Sequence, residues 1–208
     1  PTSKGVRFRD QCTWKQDRRD AIQVAAKLKI PFLTFDFTKQ YLDEVIGYFF
    51  KEAGLGRTPN PDVMCNKEIK FGIFLREAKK HGADFIATGH YVRRRQDFLY
   101  KAKDSNKDQS YFLWTLNRDQ IRHSLFPLGN LTKSEVRKIA ANLKLNVAKK
   151  PDSQGICFVG AVPMAKFLGV KIKHNPGAVM NAAGKIIGEH DGMPFYTIGQ
   201  RHGLKISS

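Results

Sequence analysis

Residues 58–72, TPNPDVMCNKEIKFG, set one cysteine between a proline-stiffened run and a stretch with helical periodicity. Pro59 and Pro61 fix their own φ angles and push Thr58 and Asn60 toward extended backbone. Asp62 and Cys65 therefore stand on a stiff support, as preorganised chemistry requires. If a helix begins at about Cys65–Asn66, its free N–H groups and positive dipole end face the sulfur, and Lys67 adds positive charge. Both favour a thiolate. The rival reading is a loop clamp with an incidental cysteine, and the local stretch alone does not separate the two.

A second stretch, KKPDSQGICFVG at 149–160, carries Cys157 between Gly155-Ile156 and Phe158-Val159-Gly160. Alone it reads as a small core residue at a strand edge. Two thiols brought together, however, can attack, carry sulfur and resolve as a disulfide. Cys12, in DQCTWKQD, has no second signal near it and reads as structural. Three cysteines and six histidines are enough ligands for zinc, but no C-x₂-C or H-x₃-H spacing is present, so no structural metal is expected. His90, after a strand, suits a ligand contact or a solvated strand end. In DSNKDQSYFLWTL, residues 104–116, Lys107, Asp108, Gln109 and Ser110 precede Tyr111, Phe112 and Trp114. That mixture suits an unstacked nucleotide, held by phosphate contacts and ring stacking. Taken by itself it reads better as a helix N-cap, Asp108 or Ser110, followed by an apolar face.

These residues need elements to hold them. Ala21, Val24, Ala25 and Leu28 recur at helical spacing within 17–29, and IPFLTFDF follows as a buried strand. A helix over 39–53 turns Tyr41, Val45, Tyr48 and Phe49 inward and stops at Gly54 and Gly56. The next helix buries Phe71, Phe74, Leu75 and Ala78, with Lys79, Lys80 and His81 at its negative end and Gly82 closing it. ADFIATGH is a strand ending in Gly89-His90, where ligands gather in open parallel sheets. HYVRRR and DFLYKAK pair around Gln96-Asp97. LTKSEVRKIAANLKL is a helix with a Thr132/Glu135 capping box and the stripe Val136, Ile139, Ala140, Leu143. From Pro176 the glycine-rich pattern reads as β-hairpins of a second domain.

The 208 residues carry 36 Lys+Arg against 19 Asp+Glu, a net charge of +17 spread along the chain. A folded basic face for a polyanion is expected, with a basic but non-binding surface as the alternative. Hydrophobic content of 41% is that of a globular protein. No run reaches ~18 apolar residues, so no membrane-spanning helix is expected. No signal peptide is visible, and the few scattered cysteines point to a reducing cytoplasm. The chain opens at Pro1 and stops after a glycine-rich stretch, so a fragment short at both ends is expected.

GRTPNPDVMCNKEIKF, ADFIATGHY, DSNKDQSYFL, LFPLGNLTKSEVRKIA, DSQGICFVG and YTIGQRHGL stand in the order and approximate spacing of the tRNA-specific 2-thiouridylase family. The chain resembles that family from about Cys12 to Leu204. The resemblance implies a Rossmann-like α/β layer of the ATP-pyrophosphatase type over 1–174, lacking its first strand and loop. The start of a small β-rich domain follows at 175–208. It further implies ATP-dependent replacement of the C2 oxygen by sulfur in the wobble uridine of tRNA, with ATP and Mg2+ as cofactors and a persulfide sulfur carrier as partner.

Carried onto matching positions, Cys65 resembles the nucleophile and Cys157 the persulfide cysteine, with a transient Cys65–Cys157 disulfide. Asn60, Pro61 and Asp62 match the segment that meets the target base, Asp62 as the acid/base. Gly89 matches an ATP position; His90, Lys107, Asp108 and Gln109 match tRNA contacts. The family's S-G-G-x-D-S loop does not occur in these residues, so the piece is expected to bind ATP poorly and to be inactive alone. Two rivals remain: a non-catalytic basic RNA-binding module, and an adenylating ATP-pyrophosphatase ligase that makes no use of thiols.

Overall fold

The structure, a computed structural model, describes residues 14–151, 164–200 and 205–206. Cys12, Cys157 and Leu204 lie outside these residues.

α1 spans Trp14–Leu28. α2 is one continuous helix in three pieces: Thr38–Gln40, a π-helical stretch Tyr41–Ile46, and Gly47–Gly54. Its end is fixed by Gly56, whose φ of 74° suits a residue without Cβ. α3 has the same construction: Pro61–Met64, a π-helical stretch Cys65–Ile73, and Phe74–Lys80. It closes in a Schellman turn, with Gly82 N–H on the Lys79 carbonyl and Ala83 N–H on that of Ala78.

α3 is the spine of the molecule, because it buries residues into two clusters. In the first, Cys65 and Ile69 meet Tyr41, Val45, Ile46, Phe49 and Ala53 of α2 and Phe167 and Leu168 of a short helix, α6 (Met164–Leu168). In the second, Phe71, Leu75 and Ala78 meet Ile86, Val92, Leu113, Leu116 and Ile121. The widened turn of the π segment is held from outside. Gln120 Nε2 donates to the carbonyls of Phe71 at 3.0 Å and Lys67 at 3.5 Å. Gly72 lets the backbone close, since a Cβ there would lie 2.8 Å from the Lys67 oxygen.

β1 (Ile86–Ala87) pairs in parallel with β4 (Ser124–Leu125). β2 (Val92–Arg95) and β3 (Phe98–Lys101) form an antiparallel hairpin through Gln96, at φ 50°. Between them and β4 lie a 3₁₀ turn, Ser110–Phe112, and α4, Arg118–Arg122. α5, Lys133–Asn142, has the expected reciprocal capping box of Thr132 and Glu135. An antiparallel sheet of β5 (Gly177–Met180), β6 (Ile186–His190) and β7 (Lys205–Ile206) closes the description.

One expectation fails, and two of the expected helices bury little of their apolar faces. IPFLTFDF is not a strand: among the described residues no strand pairs with it, and Ile30 and Leu33 are 55% and 63% exposed. A β ladder needs a partner for its backbone groups, and apolar content supplies none. The stripe of α5 buries nothing, with Ile139 and Leu143 about half exposed. Of the α1 face, Ala25 alone is buried.

Candidate functional site

α3 does not begin at Cys65. Asn60, at φ −108° and ψ 101°, is its N-cap: the side-chain oxygen accepts from the N–H of Asp62 at 3.0 Å and of Val63 at 3.2 Å, with Pro61 at the first helical position. Pro suits that position because its missing N–H would have no intrahelical partner anyway. The Cys65 N–H is already bonded to the carbonyls of Pro61 and Asp62. The dipole's positive end therefore faces Asp62 and not the sulfur, which corrects the expected activation of Cys65 by a helix start. Cys65 is 1% exposed, inside the first apolar cluster. Lys67 pairs with Glu68 at 2.9 Å.

A polar neighbourhood forms instead around Asp62, Lys70 and His90. Asp62 is half-buried, and burial raises its carboxyl above the ordinary value while the Lys70 ammonium opposes the rise. His90 is buried, packs on Phe71 at 5.7 Å between ring centroids, and has Nδ1 3.0 Å from Thr88 Oγ1. Burial, and then the charge of Lys70, push its imidazole down to about 4. His90 is thus a neutral hydrogen-bonding group at pH 7. Lys70 has no ion pair among the described residues and sits where its charge reaches both partners. Asp62 can take up or release a proton nearer neutrality than an exposed carboxylate, which is what general acid–base work on a heterocycle demands.

The loops are tied to this neighbourhood. Tyr91, beside His90, exchanges two hydrogen bonds with Gln109: Gln109 N–H donates to the Tyr91 carbonyl at 2.9 Å, and Tyr91 N–H to Gln109 Oε1 at 3.0 Å. Asp108 accepts from Ala102 N–H at 2.8 Å and from the Ser110 hydroxyl at 2.8 Å. Burial pushes its carboxyl up, and those bonds together pull it below its ordinary value. The side chains of Asp108 and Gln109 therefore brace the loop that presents Lys107. Asn66 Nδ2 donates to the Phe112 carbonyl at 3.2 Å, joining α3 to the 3₁₀ turn.

The structure thus gathers Asp62, His90 and the 107–109 loop, and places Cys65 in the first cluster while Phe71, under His90, belongs to the second. Sequence reasoning missed Asn66, 2% exposed, whose Oδ1 has no hydrogen-bond partner among the described residues. It also missed that the charge of Lys70 reaches both the carboxyl and the imidazole. A buried amide next to a cysteine in an apolar-periodic helix was the available signal for the first; the π-helical widening hid the second.

Gly89 is exposed just past β1, at the carboxyl end of the parallel pair, where a Cβ would meet only Leu128, at 3.8 Å. That open strand end fits the side of a nucleotide such as ATP lying across the sheet. Among the described residues no cluster of His, Cys, Asp or Glu is built to hold a metal ion, and no helix is long and apolar enough to cross a membrane.

Residues 2–161 match the family described as tRNA methyl transferase HUP domain, and residues 165–208 its PRC-barrel domain. The curated proteins named tRNA-specific 2-thiouridylase MnmA are similar along nearly the whole chain. That of Exiguobacterium sibiricum is 51% identical, across 94% of this chain and 53% of its own length. That of Metamycoplasma arthritidis is 50% identical, across 95% and 54%. The chain belongs to the tRNA-specific 2-thiouridylase family. Its fold is accordingly a HUP domain, a Rossmann-like layer, followed by a small PRC-barrel domain. The helices around the β1–β4 parallel pair and the antiparallel β5–β7 sheet are the described parts of the two. The chain spans about half the length of the curated 2-thiouridylases it matches.

Proposed function

We propose that this chain takes part in ATP-dependent replacement of the C2 oxygen of the wobble uridine of tRNA by sulfur. The observation that carries the reading is the identity of about one half, over 94% of the chain, with proteins named for that modification. That span takes in both cysteine stretches. The α/β part is assigned to 1–174 and the start of the β-rich part to 175–208, working in the cytoplasm.

Asn60, Pro61 and Asp62 would meet the uracil, with Asp62 moving its proton. His90 and Lys107 would contact the tRNA, with Asp108 and Gln109 holding that loop in place, and Gly89 would lie against ATP. ATP, with Mg2+, supplies the adenylyl group that turns the C2 oxygen into a leaving group. Sulfur arrives from a carrier protein as a persulfide on Cys157. Its terminal sulfur bonds to C2 as the C2–oxygen bond breaks and AMP leaves. Cys65 then attacks the Cys157 sulfur, breaking the S–S bond to the transferred atom. Thiouridine is released and a Cys65–Cys157 disulfide remains, which an external dithiol reduces.

The test uses the full-length protein, a persulfide carrier labelled with radioactive sulfur, ATP and tRNA. Label is expected on Cys157 and then in tRNA, with tRNA labelling abolished by Cys65→Ser or Cys157→Ser. Label on neither protein nor tRNA overturns the reading. One observation favours a second reading, a non-catalytic basic RNA-binding module: Cys65, at 1% exposure, packs as a core residue does. On that reading, replacing both cysteines by serine leaves the protein's cellular role intact.

A further inference from the structure

The register of the β2–β3 hairpin sorts its side chains. Arg93 stands opposite Tyr100 and Arg95 opposite Phe98, so these four share one face, since alternate residues of a strand point to the same side. The other face carries Val92, fully buried, and Leu99, which packs against the second cluster. All four outer residues are exposed, Phe98 at 53% and Tyr100 at 45%. Arg118 of α4 lies over the Phe98 ring, 5.7 Å from its centroid. The hairpin's one acidic residue, Asp97, is held by two hydrogen bonds from Arg122. Guanidinium groups and aromatic rings are thus interleaved on a face where the hairpin's own carboxylate is already paired.

A face kept for packing would turn its rings inward, and a merely solvated face would not need them. Guanidinium groups suit phosphates, and flat rings suit bases that are not paired or stacked in a duplex. The strand that begins the face starts two residues past His90, so the backbone joins the face directly to the candidate site. We propose that this face docks the unpaired loop of an RNA, with bases on Phe98 and Tyr100 and phosphates on Arg93 and Arg95. The proposal rests on the reading that the substrate is a tRNA, and adds where its loop lies.

The test measures fluorescence anisotropy of a labelled anticodon stem–loop RNA, and of a blunt RNA duplex of equal length, against this chain over a range of salt. The double substitution Phe98→Ala with Tyr100→Ala is expected to weaken stem–loop binding about tenfold or more while hardly changing duplex binding. Arg95→Gln, a single exposed change, is expected to lower the salt slope for the loop by about 0.7. Unchanged loop affinity in both variants overturns the proposal, and so does an equal loss for loop and duplex. Normal RNA binding combined with lost uptake of sulfur from a carrier protein would make this a protein interface and also overturn it. A full-length protein that binds loops through this face, yet passes no sulfur, leaves the surface standing and removes the thiolation reading.

Discussion

Lowering the pH from 7 to 5 should destabilise the chain through His90. Its imidazole sits at about 4 in the fold, against 6.5 for an ordinary histidine, because burial and the charge of Lys70 both disfavour the cation. Between those values the unfolded chain binds more protons than the folded one. Stability therefore falls as pH drops through that window, and is fully present above it. Integrating the two titrations gives a loss of about 2 kcal/mol between pH 7 and pH 5, out of about 3 kcal/mol in all. Asp62 works in the opposite sense, since its carboxyl, raised by burial, binds protons more readily folded than unfolded. The assay is urea unfolding of the chain and of His90→Gln at pH 7, 6 and 5. Comparing the two proteins cancels Asp62 and every other titrating group. Parallel stability curves would refute the reasoning, as would an NMR titration of the His90 ring with its midpoint near 6.5.

Further outcomes follow from the same geometry. Asn60→Ala removes the acceptor for two N–H groups at the start of α3 and should cost about 1 kcal/mol in denaturant unfolding. Lys70→Met takes away the charge that lowers both neighbours, so NMR titration should find the His90 and Asp62 values each moved upward. Gly129→Ala would set a Cβ 2.0 Å from the Val92 oxygen; a loss of about 1–3 kcal/mol is expected, read as a lowered Tm. Cys65→Ser puts a hydroxyl into the first apolar cluster and should cost about 1–3 kcal/mol, whereas Cys65→Ala should cost less if the thiol only packs.

Much of this was legible from pattern alone. The hairpin turn at Gln96-Asp97, the Thr132/Glu135 capping box and the inward face of α2 follow from local spacing and turn chemistry, which do not depend on distant partners. What failed did depend on them. IPFLTFDF and the α5 stripe have the composition of buried elements, yet Ile30, Leu33, Ile139 and Leu143 stay about half exposed or more, while Phe35 and Phe37 reach Phe74 and the first cluster. Apolar content says that a segment would gain from burial, not that a surface exists to receive it. The bracing roles of Asp108 and Gln109 were equally out of reach, because their partners, Ala102 and Tyr91, are set by how the hairpin folds back.

The TPNPDVMC stretch departs from its expected structure for a more instructive reason. Two prolines suggest a stiffened loop, but Asn-Pro-Asp is also a helix start: a capping side chain, a residue with no N–H to satisfy, and an acid in the first turn. Moving the start from Cys65 to Pro61 shifts the helix by about one turn. That turn exchanges the two functional groups. Asp62 receives the positive end of the dipole, and Cys65 is carried past it into the apolar cluster with Tyr41 and Phe49. If Cys65 acts as the proposed nucleophile, its reactivity cannot come from the helix terminus. It must come from whatever brings a second sulfur to it, which is why native alkylation of Cys65, with Cys12 and Cys157 replaced by serine, should be slow and should quicken as the first cluster is loosened by denaturant.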